Sequence, residues 1–199
     1  MLKLTSYQNK EDLMVATASI VNKYDRADAA GKVDIICKNY SNFIGIIDSY
    51  TEGLCYMIIN EKRNNMKEEQ ELLGVHIQIS GIKSDPTANS AINNMVTKQA
   101  IVECNFSEDI LEGVDRKEEL CRLAYILRNM RTDYELFNQQ LKILGKKDET
   151  IFLGYLSGNK SLEEIASEEH ITYNCLAKRI RKIKFKIKVQ MVEFINGIV

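Results

Sequence analysis

The chain has one proline, Pro86, no tryptophan and only ten glycines in 199 residues. With so few helix breakers, the composition leans strongly towards helix. Histidine is nearly absent as well. His76 and His170 have no cysteine or carboxylate at zinc or triad spacing, so neither a metal nor a catalytic dyad is expected. The five cysteines (Cys37, Cys55, Cys104, Cys121 and Cys175) form no Cys-x-x-Cys pair, which suits small apolar side chains in a reducing cytosol. The glycine-containing "GYLSGN" lacks the Lys-Ser/Thr that a phosphate loop requires. The N-terminal "MLKLTSYQNKEDLM" lacks the long apolar run of a signal peptide, and no segment is suited to spanning a bilayer. These absences set the expectation: a soluble cytoplasmic protein, not an enzyme, with no cofactor and no metal.

A hydrophobic content of 45% is enough to build a sizeable core. The formal charge of −1 makes the whole molecule no polycation, so any attraction to phosphate must come from local clustering. A first helix is expected over about 10–23, with Asn9 as its cap, before "DRADAAG" bends the chain. A long element follows, in which Val33, Ile36, Tyr40, Phe43, Ile47, Tyr50, Leu54 and Met57 recur at steps of three and four. Gly45 and Gly53 inside it imply the close approach of a neighbouring helix. The helix turns polar and ends near Gly74; Val75, Ile77 and Ile79 then alternate as a short extended segment at 75–79 with His76 on its polar side. Asp85 and Pro86 open a helix over 86–103. Asp115 and Glu118 form a capping-box-like pair ahead of a second heptad seam: Leu120, Leu123, Leu127, Met130, Tyr134, Phe137, Leu141 and Leu144. Such seams pair with each other, with a second copy, or both; a homo-oligomer, a dimer first, is the expectation.

The last quarter is the most informative. After a short helix capped by Gly158, "SLEEIASEEHITYNCLAKRIRK" carries Ser161 and Glu164 as a capping box, then a turn at His170 and Ile171. Thr172 caps the next helix, whose Leu176, Ile180 and Ile183 point to a core. That is the pattern of a helix-turn-helix, with Ala166 small where the helices cross. Thr172, Tyr173, Asn174, Lys178, Arg179, Arg181, Lys182 and Lys184 are the candidate contacts to double-stranded DNA. Lys178, Arg181, Lys182 and Lys184 would hold phosphates, while Tyr173 and Asn174, with Lys178 as a further candidate, would read bases. "KRIRKIKFKIK" has no acid, which a merely solvated cationic face would also explain. From Ile183 to Met191 apolar and polar residues alternate as in a strand. As a helix, the segment has one stripe through Ile183, Ile187, Met191 and Phe194 and a second through Phe185, Val189 and Val192 that needs burial. The helix is favoured because no strand partner lies in reach. The expected architecture is all-α: a helical oligomerisation domain over 1–144, then a DNA-binding domain over 145–199.

Residues 147–188 resemble the fourth conserved region of bacterial sigma factors, with "EIA" on the supporting helix and Arg179 at the basic position of the recognition helix. Glu169 stands where a leucine is usual, and His170 replaces the common glycine. "GVHIQISGIKSDPTANSAI" ahead of such a module is similar to the RinA/ArpU group of phage and prophage transcriptional regulators. The resemblance implies gene activation at promoters, with RNA polymerase as a partner. The alternatives are a small-terminase-like packaging subunit, which shares this combination of parts, and a polymerase-binding protein that does not read DNA.

Overall fold

The structure, a computed structural model, describes residues 20–73 and 86–197, and these are all-α with no strand among them. The start of the first helix, the extended segment at 75–79 and His76 lie outside the described residues. Helix α1 covers residues 20–26. Then come α2 (Ala29–Asn39), a 3-10 turn (Tyr40–Asn42), α3 (Phe43–Leu73), α4 (Pro86–Glu103), α5 (Glu108–Leu111) and α6 (Lys117–Ile143). Helices α7 (Lys146–Ser157), α8 (Leu162–Glu168) and α9 (Tyr173–Ile195) complete the fold. No described helix is long and apolar enough to cross a membrane.

Local chemistry accounts for most boundaries. Asp28 caps α2, its carboxylate accepting from the Gly31 amide at 2.7 Å, so "DRADAAG" is a helix start as well as a bend. The expected continuous helix from Val33 is interrupted by the 3-10 turn, where the Asn39 side-chain amide donates to the Ile35 carbonyl at 2.8 Å. Helix α6 starts at Lys117, and its cap is not Asp115. Glu61 on α3 accepts from the Asp115 and Arg116 amides at 2.8 and 3.1 Å and pairs with the Arg116 guanidinium at 3.2 Å. A carboxylate from a distant helix thus replaces the local box. Among the described residues Gly45 and Gly53 do not mark a close approach, since none of these residues lies within 4 Å of where a Cβ would stand.

The described chain forms two compact units: residues up to Ile46 with those from Met130 onward, and Ile47–Asn129. The expected functional boundary at 144/145 lies inside the first unit. In the second, Ile47, Leu54, Ile58, Ile101, Leu120 and Leu127 are buried, while Ile92 and Met95 of α4 stay exposed. In the first unit, Tyr24, Phe43, Tyr40, Tyr134 and Phe137 form an aromatic cluster with ring centroids 5.5–6.1 Å apart. The Tyr24 hydroxyl donates to the half-buried Asp133 carboxylate, and burial raises the pKa of both groups. Helix α9 is the centre of this unit, packing on α2, α7 and α8. Its Leu176, Ile180, Ile183, Ile187 and Met191 form one buried stripe, whereas Phe194, expected to continue it near the helix end, is 42% exposed.

Candidate nucleic-acid interface

The site is built from α8, a four-residue connection and the first half of α9. Ser161 and Glu164 form a reciprocal cap: the Ser161 hydroxyl accepts from the Glu164 amide at 3.2 Å, and the Glu164 carboxylate accepts from the Ser161 amide at 2.7 Å. Hydrogen bonds from Ser161 hold the Glu164 carboxyl below its usual range. Helix α8 ends in a Schellman-type turn: the His170 amide donates to the Ser167 carbonyl at 3.2 Å and the Ile171 amide to that of Ala166 at 3.0 Å. His170 adopts φ +53°, the left-handed conformation that the sequence assigns to this position. Thr172 then caps α9, its hydroxyl accepting from the Cys175 amide at 3.3 Å. Ala166 is buried where α8 meets α9. Glu169 turns to Lys147 of α7, with which it forms an ion pair at 3.5 Å.

The eight candidate side chains divide into two groups. Thr172, Tyr173, Asn174, Lys178, Arg181 and Lys182 are exposed. Lys178, Arg181 and Lys182 have no ion pair among the described residues. Arg179 and Lys184, by contrast, are half-buried and engaged. The Arg179 Nε donates to Asp148 of α7 at 2.5 Å. Lys184 pairs with Asp34 of α2 at 3.0 Å, and Lys188 joins the same carboxylate at 2.6 Å. Partial burial opposes ionisation of Asp34, but hydrogen bonds from Lys188 and Lys184 outweigh it and hold this carboxyl below its usual range. The same bridge raises the Lys184 ammonium against its desolvation. These two cations therefore dock α9 onto its own unit and do not stand ready for an external phosphate.

Sequence reasoning overlooked Lys186, which is exposed and unpaired among the described residues, and the docking role of Asp34 and Asp148. Lys186 was legible in the acid-free run; the two aspartates carry no local signal, because their partners are far away in sequence. Cys175 is exposed early in α9, whereas burial pushes the Cys37 thiol up to about 11, so Cys37 remains a neutral core group. Among the described residues no group of three or more His, Cys, Asp or Glu side chains could hold a metal. Searches of known protein families, of characterised proteins and of solved structures find no match to this chain.

Proposed function

We propose that the chain is a sequence-specific DNA-binding transcriptional regulator in which α8, the turn and α9 act as a helix-turn-helix. The observation that carries this reading is the partition of cations on α9. Lys178, Arg181 and Lys182 stand exposed and unpaired beside exposed Tyr173 and Asn174, while Arg179 and Lys184 brace the helix from behind. A helix held rigidly with polar and cationic groups near its N-terminal end is what a major groove requires. Tyr173 and Asn174 would meet base edges, and the three free cations would fix register on phosphates. The likeness of "DPTANSAI" and of the sigma-like module to the RinA/ArpU regulators supports action at phage or prophage promoters together with RNA polymerase.

The test is selection of bound duplexes from a random pool, then fluorescence anisotropy on the enriched sequence. The triple variant Lys178→Ala/Arg181→Ala/Lys182→Ala is expected to lose about 100-fold or more in affinity while keeping its melting temperature. Arg179→Ala is expected to lower the melting temperature and to weaken binding less. If no sequence is enriched, or the triple variant binds as well as the parent, the proposal fails.

A further inference from the structure

The outer face of α9 changes chemistry halfway along. Beyond its basic first half, Phe185 and Val189 are 69% and 42% exposed, and partly exposed Val192 continues the same row at spacings of four and three residues. This is the second stripe of the sequence, and the described residues leave it uncovered. Beside it, on one flank, lie Lys186 and Glu193; both are exposed and neither has an ion pair among the described residues. Glu193 is the only acid on a helix with seven cations.

We infer that this stripe is a self-association surface, on which a second copy of the chain lays its own α9 antiparallel, about a two-fold axis beside Val189. The register follows from the residue spacing. Val189 meets its symmetry mate. Phe185, four residues to one side, lies within one residue rise of the partner's Val192, three residues to the other; one rise is about 1.5 Å. A two-fold perpendicular to the helices brings like flanks together, so Lys186 comes within one rise of the partner's Glu193, twice over by symmetry. The lone acid is thus positioned to neutralise a free cation, which favours a second copy over a partner of unrelated sequence. The alternative heptad surfaces are largely occupied, with Phe43, Ile47, Leu54, Leu127, Met130 and Phe137 buried within one chain and Met57 the one exposed member of the two seams. At this register the partner's α9 ends level with Ile183, so the basic first half of each helix, up to Lys182, emerges beyond the seam. The inference stands independently of DNA binding.

Three apolar side chains per copy make a small seam, so the dimer is weak, with a Kd on the order of tens of micromolar. Sedimentation equilibrium of the full chain tests it, with circular dichroism as the check on folding. Val189→Asp is expected to weaken the dimer by more than about tenfold. Lys186→Glu and Glu193→Lys are each expected to weaken it about tenfold, and the double reversal to restore it to within about twofold. A chain that stays monomeric up to about 0.5 mM overturns the inference, and so does a dimer indifferent to these substitutions or one that the double reversal fails to restore. Capture of α9 by some other partner would appear as the monomeric result. None of these outcomes depends on DNA, which the anisotropy assay reads through Lys178, Arg181 and Lys182.

Discussion

His170 shows how much one residue can reveal about its surroundings. At φ +53° its Cβ crowds the backbone, a cost of roughly 1–2 kcal/mol for an L-residue. The hydrogen bonds of the Schellman turn hold it there, delivering Ile171 and Thr172 to the start of α9. His170→Gly is therefore expected to stabilise the fold by about 0.5–1 kcal/mol, the relief of strain being partly offset by backbone entropy. Urea unfolding monitored by circular dichroism would check this, with unchanged or lower stability as the contrary result. The neighbours Lys178 and Arg179 carry the same charge, yet among the described residues only Arg179 meets a carboxylate, Asp148. One residue turns a helix by about 100°, so adjacent cations acquire different duties.

At the scale of the element, α9 resolves the ambiguity between strand and helix. In a strand Phe185 and Ile187 would share a face; in α9 Ile187 is 1% exposed and Phe185 69%. Ile187→Ala is expected to cost about 2–4 kcal/mol. Phe185→Ala, measured at a concentration where the chain is monomeric, should cost less than about 0.5 kcal/mol. Equal losses in urea titrations of the two variants would contradict the helical phase. Caps were legible where they are local: Ser161, Gly158 and Thr172 each act within a few residues of themselves. The start of α6 was not, because its capping group is Glu61, 54 positions from Asp115. The break at Tyr40–Asn42 was missed for a related reason: the heptad spacing continues through it, and periodicity does not register a single tightened turn.

For the molecule as a whole, a net charge of −1 conceals a helix with seven cations and one acid. On the proposed reading only the unpaired cations would displace condensed counterions from DNA, since Arg179, Lys184 and Lys188 are already neutralised within the chain. The slope of log affinity against log salt should therefore lie between about −3 and about −4, reflecting Lys178, Arg181 and Lys182 and, beside them, Lys186. A slope beyond about −6 in an anisotropy titration would mean that the internal ion pairs open on binding.

The helical class, the helices over 86–103 and 146–195, and the cap-turn-cap arrangement ahead of α9 were determined by the sequence alone, because caps, breakers and apolar periodicity act over a few residues. Tertiary structure alone decided which cations are spent on Asp34 and Asp148, that α2 packs on α9, and that Phe185 and Val189 remain uncovered. The reason is physical: an ion pair or a packed face depends on a partner brought close through space, and spacing along a chain does not name that partner.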